Sequence, residues 1–444
     1  MLRMTRPHTW TNWARTYSFT PNDVLAPAST TEVVEIIDMA RQANVRVKAV
    51  GSGHSFTPIA QTDGILVNPR ELRGVISVDL EHMQVRVKAG TPLHELNEIL
   101  ASHGLAMENL GDIDRQTISG AISTGTHGTG ARFKGLAQSV IALQIVTADS
   151  VVHECSLDSN SSLFNAARIG LGAMGVITEY TLQCVPAFLL HAIEEPGSLS
   201  DTMASLDELV DSHDHVEFYW FPHTDRVLLK RNTRLPSHEP AHPLSTFRAW
   251  LDDDFLSNTV FEGVNRVGSW RPSWFPAINQ LTSRVLSARE YSTQSHAVFA
   301  SPRRVKFREM EYALPRAAAI TALTELNAMI ERQRLTISFP VEVRFAAADD
   351  LWLSTAQGRD TCYIAIHQYH RIPYQPYFRE FEAIAQSMQG RPHWGKLHSR
   401  NRSNLEPVYP YLTDAVQVRD RVDPQRMFGN QYLEQVFGDE VTEN

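Results

Sequence analysis

Cysteine is scarce in this chain of 444 residues: Cys155, Cys184 and Cys362 are widely spaced and form no Cys-x-x-Cys pair. Such usage supports neither a disulfide framework nor a zinc site and fits a reducing compartment. No stretch of about 18 apolar residues occurs, the length a membrane-spanning helix needs. Behind the early arginines of MLRMTRPHTWTNWARTYS no apolar leader follows. Excess positive charge is missing too. The 41 Lys and Arg against 50 Asp and Glu leave a net charge of −9, which argues against nucleic acid or an anionic membrane as the main partner. The short basic pairs Lys230-Arg231 and Arg303-Arg304 read as solvated faces. A cytoplasmic protein without an integral membrane segment is expected.

What is present is ordinary globular composition, 43% hydrophobic and 20% charged, in a chain too long for one core. Ser29 or Thr30 can cap a helix through Arg41, with Val33, Ile36, Ile37 and Ala40 at helical spacing. Val45 to Val50 reads as a strand, followed by strands at Ile65-Leu66-Val67, Val75 to Val78 and Gln84 to Ala89. Thr91-Pro92 opens a helix from Leu93 to His103, with the proline in its first turn. The order is mixed α and β, unlike a doubly wound sheet. After Pro186 the texture changes and marks a second domain. Leu199 to Val210 reads as an amphipathic helix and Val216 to Phe221 as an aromatic strand, while Asn232 to Ala300 shows no clean periodicity.

Three glycine-rich stretches stand out. Val50-Gly51-Ser52-Gly53-His54-Ser55-Phe56 turns tightly with bare backbone N–H groups, an anion site, and presents an imidazole beside it. Thr117 to Gly130 interleaves hydroxyls and glycines so that backbone can approach a flat or polyanionic ligand, and reads as a ligand-cradling loop. Gly170-Leu171-Gly172-Ala173-Met174-Gly175 spells GxGxxG, but the motif is inverted: a helix, Ser162 to Ile169, precedes it and a strand, Val176 to Leu182, follows. A dinucleotide fingerprint needs the opposite order.

Two strands of the second domain carry chemistry. In Val341 to Phe345 the period of two sends Val341, Val343 and Phe345 one way and Glu342 and Arg344 the other, an acid and a guanidinium placed to bind hydroxyls. In Thr361 to Tyr369 the same alternation puts Tyr363, His367 and Tyr369 on one face. The loop Gly390-Arg391-Pro392-His393-Trp394-Gly395-Lys396 crowds His, Trp and Lys together. Val422-Asp423-Pro424 then turns the chain into an apolar tail, Phe428 to Val436.

Together these motifs resemble the aldonolactone oxidoreductases, the L-gulonolactone and D-arabinonolactone oxidase branch of the vanillyl-alcohol-oxidase flavoprotein family, from about Asn12 to Phe437. VGSGHSF resembles the family's first pyrophosphate loop, which implies FAD held covalently through His54 and contacts from Val50, Gly51, Ser52, Gly53 and Ser55. SGAISTGTHGTG resembles the second FAD loop, which implies Ser119, Gly120, Ser123, Gly125, Thr126, His127 and Gly128 along the cofactor. Thr117 falls where related alditol oxidases have a substrate-contacting serine, and is assigned to the cofactor side as well. GAMGVIT resembles the adenine-side strand, implying Gly175 and Ile177. Glu342-Val343-Arg344 resembles the Glu-x-Arg pair that holds substrate hydroxyls over the flavin. His393-Trp394-Gly395-Lys396 resembles the His-Trp-x-Lys signature, with His393 and Lys396 beside the flavin.

The implied fold is α+β: a two-lobed FAD-binding domain of PCMH type, residues 12–185, and a cap domain with a large antiparallel sheet, residues 186–444, whose segment 415–444 packs back on the first. The implied reaction is oxidation of an aldono-1,4-lactone at C2, by hydride transfer to the flavin and with oxygen or another electron acceptor to reoxidise it, giving an ascorbate-type product. Lys396 would favour the reduced flavin, Glu342 and Arg344 would clamp the substrate, and His367 would serve as base with Glu342 as the alternative. An alditol or sugar oxidase shares both FAD loops and the Glu-x-Arg pair, and remains an alternative. An NAD-dependent dehydrogenase would rest on the inverted GxGxxG alone. A metal enzyme would draw on His213, His215, His367, His370, His393 and His398, at no spacing of a known metal motif.

Overall fold

The computed structural model describes residues 4–5, 9–250, 258–284, 286–301 and 303–438. The expected closing segment 415–444 is therefore described to Gly438, and residues 439–444 lie outside. The first helix, Thr30–Ala43, is capped by Ser29, whose hydroxyl accepts the Glu32 N–H at 3.2 Å, and it ends at Asn44 in the left-handed region. Its buried stripe of Val33, Ile36, Ile37 and Ala40 packs on a small sheet in which Val47–Ala49 and Asp23–Leu25 flank Ile65–Val67 in parallel. A second, antiparallel sheet runs in the order Val152–Ser156, Val140–Val146, Val176–Gln183, Gln84–Lys88, Val75–Asp79. The alternating Val85 and Val87 face its core, against helices Leu93–Ser102 and Ser161–Arg168.

The second lobe is an eight-stranded antiparallel sheet in the order Arg289–Gln294, Phe188–Ser198, Arg226–Pro236, His215–Phe221, Val341–Ala346, Thr361–Tyr369, Phe307–Pro315, Arg391–Pro392. Helices Ala319–Arg332 and Gln375–Ser387 cover its outer face, burying Val341, Val343, Phe345, Ile364 and Ile366. The inner face turns toward the first lobe. Downstream helices Leu412–Val422 and Gln431–Phe437 contribute Leu412, Val416, Leu433 and Phe437 to the core of the Val75–Gln183 sheet. Among the described residues, no helix is long and apolar enough to cross a membrane.

Several expectations need correction. Leu199 to Val210 is two helices, Leu199–Ala204 and Leu206–Ser212, because the Ser205 hydroxyl bonds back to Asp201 O at 3.0 Å and breaks the run. Pro92 is the cap before helix Leu93–Ser102 and not a residue of its first turn. The middle of the second glycine-rich stretch is a helix, Ile118–Ser123, capped by Thr117, whose hydroxyl accepts the Gly120 N–H at 3.2 Å. Within the aperiodic stretch 232–300 lie helices Phe261–Trp270 and Phe275–Thr282 and the edge strand Arg289–Gln294.

Candidate active site

Cross-strand register builds the inner face of the large sheet. Tyr219 pairs with Glu342, Glu342 with Ala365, and Ala365 with Glu311, while Glu217 pairs with Arg344 and His367 with Glu309. Directly paired residues bring side chains within about 5 Å, so acids and bases form a continuous polar floor, and the small Ala365 leaves room between Glu342 and Glu311. This floor belongs to a cleft of about 970 Å³ of open space, completed from the first lobe by His54, Asp112, Gln116, Thr126 and His127 and from the Trp394 loop by His393 and Lys396. A second cleft of about 900 Å³ shares His54, Ser55, Gln116 and Thr124 with it and runs under the first lobe past Val50, Gly51, Ser52, Gly53, Thr117, Ser119, Gly120, Ser123, Gly172, Gly175 and Ile177.

The glycines of the second cleft explain its shape. A Cβ on Gly51 would stand 2.4 Å from Thr117 Oγ1, so the first and second loops touch at that point. Gly53 has φ +72°, and a Cβ there would strike the Trp10 ring at 2.7 Å. The turn is held by Trp13 N–H donating to Gly53 O at 2.8 Å, and Phe56 N–H donating to Gly395 O joins the histidine loop to the Trp394 loop. His54 Nδ1 is buried with no hydrogen-bond partner, where the two clefts meet. Burial, then Lys306 and Lys396, lower the His54 pKa to about 4, so the ring is a neutral imidazole at neutral pH. A narrow bed of bare backbone, ending on an orphaned imidazole nitrogen at the mouth of a polar cavity, fits the dinucleotide the sequence implies. Gly125 and Gly128 lie outside both clefts. Gly125 packs on Ile169 and Trp394, and Gly128 passes so close that a Cβ would meet Leu110 O at 2.3 Å.

Around Arg344 the charges are dense. Its Nε donates to Glu217 at 2.8 Å, while its Nη2 contacts Glu342 closely and lies 3.6 Å from Asp112. Tyr219 Oη donates to Glu342 Oε1 at 3.0 Å. Burial raises the Glu342 pKa, Arg344 opposes that, and Asp112 and Glu217 push it further up. Burial alone would raise Asp112 as well, but Arg344, Arg303 and Lys396 hold it well below the usual carboxylate range. Lys396 donates to Glu309 at 2.6 Å, and despite burial Glu309 and Glu311 keep its pKa above the ordinary value. His367 Nδ1 lies 3.1 Å from Pro340 O, which makes it the protonated nitrogen, and its Nε2 faces Glu309 at 3.5 Å. His127 Nε2 is 3.1 Å from Glu311 and its ring stacks on Tyr363 at 3.5 Å.

The reading of the basic pairs as solvated faces fails at two residues: Lys230 reaches Glu217 at 3.3 Å, and Arg303 reaches Asp112 at 2.7 Å inside the cavity. Glu217, Tyr219, Glu309 and Glu311 join Glu342, Arg344 and His367 on the inner face of the large sheet, and the alternation Glu217-x-Tyr219 and Glu309-x-Glu311 within mostly apolar strands is a signal of it in the sequence. Asp112, in a loop, carried none. His215 and His398 are spent on Thr129 O and Tyr432 Oη. Among the described residues, His127, Glu311 and His393 form the one group with metal-ligand spacing, all within 4.8 Å. In that group His127 Nδ1 bonds Gly128 O, His127 Nε2 faces Glu311, and His393 Nδ1 accepts the Gly395 N–H.

A family model described as FAD binding domain matches residues 21–156, and one described as D-arabinono-1,4-lactone oxidase matches residues 180–436. The chain is 41% identical to L-gulono-1,4-lactone dehydrogenase of Mycobacterium tuberculosis, over 97% of this chain and 99% of that protein. It is 38% identical to L-gulonolactone oxidase of Bos taurus, over 96% and 97%. The solved structure of cholesterol oxidase from B. sterolicum superposes with TM-score 0.83 at 16% identity, covering 98% of this chain and 97% of that one, a likeness of fold.

Proposed function

The chain belongs to the D-arabinono-1,4-lactone oxidase family, and on that premise we propose that it is an FAD-dependent oxidoreductase that oxidises an aldono-1,4-lactone such as L-gulono-1,4-lactone at C2 to an ascorbate-type product. The observation that carries the reading is the junction of the two clefts, where the bed of backbone ends on His54 and meets the floor of Glu342, Arg344, His367 and Lys396. In this reading Val50 to Ser55, Thr117, Ser119, Gly120, Ser123, Gly175 and Ile177 would hold FAD, and Thr126, His127, His393 and Lys396 would stand beside its redox-active ring. Residues 12–185 form the FAD-binding domain and 186–444 the cap.

When bound, the flavin supplies the acceptor for the hydride leaving C2. Arg344 keeps Nη1 for the substrate, since Nε and Nη2 are engaged by Glu217, Glu342 and Asp112. Glu342, oriented by Tyr219 and Arg344, accepts a substrate hydroxyl. His367, with Nδ1–H committed to Pro340 O, offers the Nε2 lone pair as base for the C2 hydroxyl proton, and Glu309 stabilises the imidazolium that forms. Lys396 holds positive charge beside the acceptor as negative charge develops. Oxygen or another electron acceptor completes the cycle, and the three buried, unpaired cysteines suit a cytoplasmic setting.

Covalent attachment rests on His54, whose neutral, unpartnered Nδ1 is a competent nucleophile. Acid precipitation of wild type is expected to leave a yellow pellet, and His54→Ala to release its flavin to the supernatant. Free flavin from wild type would remove the covalent link. For the reaction, turnover of L-gulono-1,4-lactone and of xylitol is compared with an artificial electron acceptor. Preference for the lactone supports this assignment, and preference for xylitol would replace it with an alditol oxidase.

A further inference from the structure

Among the described residues, each lysine and arginine lining the substrate cavity is already matched by a carboxylate of the protein. Arg303 donates to Asp112 at 2.7 Å and Lys396 to Glu309 at 2.6 Å, while Arg344 is shared by Glu217, Glu342 and Asp112. Four carboxylates, Asp112, Glu309, Glu311 and Glu342, line the cavity with these three cations. The histidines add no free positive charge: His127 faces Glu311 and His367 faces Glu309, whereas burial chiefly keeps His54 and His393 neutral, at about 4 and about 3. Lys306, a further ammonium close by, sits over the Trp13 ring at 3.8 Å and is not part of the lining. A carboxylate entering this space could reach Arg344 Nη1, but on a guanidinium whose charge three carboxylates already share, and it would stand among the protein's own acids, a juxtaposition of like charges that is strongly disfavoured.

We infer that the cavity selects uncharged polyhydroxylated substrates and rejects the open-chain aldonate formed when a lactone hydrolyses, with Asp112 as a specificity-determining residue. Asp112 neutralises Arg303 and reaches Arg344, and its backbone carbonyl accepts the Ser301 N–H at 3.0 Å, so the loop is fixed against the cap from two directions. Arg303 in turn lies 3.4 Å from the Tyr219 hydroxyl that orients Glu342. The inference rests on the lactone-oxidising reading above and adds to it which charge state the site admits.

The test is competition against anaerobic flavin reduction by L-gulono-1,4-lactone in the flavin-loaded protein, with L-gulonate and its uncharged amide, L-gulonamide, as competitors. The two share chain length and hydroxyl pattern and differ in charge. Gulonamide is expected to bind at least about 100-fold more tightly than gulonate. Equal competition would overturn the inference, as would an amide as weak as the anion, since ring closure would then be the discriminator. Asp112→Asn releases Arg303 and is expected to tighten gulonate by about tenfold or more relative to the amide. An unchanged ratio in a folded variant would remove Asp112 from the role, and the wild-type ratio decides the charge preference even where that variant does not fold. A lactone that leaves the flavin oxidised would instead overturn the functional reading itself and the inference with it.

Discussion

At Arg344 three carboxylates share one guanidinium, and they differ in how far it holds their charge. Glu217 takes Nε at 2.8 Å, and its carboxyl falls to about 2 because Arg344 and Lys230 outweigh burial. Glu342, also buried, is raised, because Asp112 and Glu217 add to desolvation against the pull of Arg344. A raised carboxyl pKa means the protonated form persists to higher pH. If ionised Glu342 accepts the substrate hydroxyl, the acid-side loss of flavin reduction begins above the ordinary Glu value of about 4.3. Glu342→Gln is expected to slow flavin reduction by about 100-fold or more with flavin still bound, and to lose that acid limb. Rapid-mixing reduction rates across pH check both, and an unchanged rate would take Glu342 out of the site. The Glu342/Arg344 face and His367 were legible in the sequence because period-two alternation assigns faces without coordinates. Asp112 and Arg303 were not, since a loop has no period and their pairing spans residues far apart in the chain.

Among the elements, the strand Val47–Ala49 links three parts of the chain. Lys48, 2% exposed, donates to Gly172 O at 3.2 Å and to Phe428 O at 3.0 Å, tying the first glycine loop's strand to the third glycine turn and to the segment after Asp423. The Asp423 carboxylate accepts the Met427 and Phe428 N–H groups at 2.7 and 2.8 Å and fixes that turn. Burial drives the Lys48 pKa to about 7, with Asp423 opposing, against about 10.4 in the unfolded chain. Between those values the unfolded state binds more protons, so stability rises with pH across this window. Relative to Lys48→Met, wild type is expected to gain thermal stability from about pH 7 toward pH 10, and parallel melting profiles would contradict it. Gly53→Ala combines φ +72° with a 2.7 Å clash on Trp10 and is expected to yield protein depleted in flavin by absorbance. The first two glycine-rich segments were recognisable from composition as candidate ligand-cradling loops, whereas the third carried only an inverted motif. That one of them is partly a helix was hidden, because Ile118-Ser119-Gly120 is a weak helix former that depends on the Thr117 cap and on burial of Ile118, Ala121 and Ile122.

For the whole molecule, the arrangement is a division of labour between lobes: the glycine-rich turns of the first lobe make one cleft, and side chains from the inner face of the large sheet floor the other. Alternation and glycine spacing made both ingredients readable, whereas the order of eight strands, with neighbours such as Val341–Ala346 beside His215–Phe221, follows from long-range pairing that no local pattern encodes. The stretch 232–300 was opaque for a related reason: its strand Arg289–Gln294 sits at the sheet's edge and its helices carry exposed Trp270 and Leu281, so apolar periodicity never develops. In the proposed function the two clefts bring one cofactor and one neutral lactone together at His54. The most direct test of that function is the visible spectrum of the flavin-loaded protein under anaerobic titration with L-gulono-1,4-lactone. Stoichiometric bleaching of the flavin bands is expected, and flavin that stays oxidised at saturating lactone while a polyol bleaches it would rule out a lactone as the substrate.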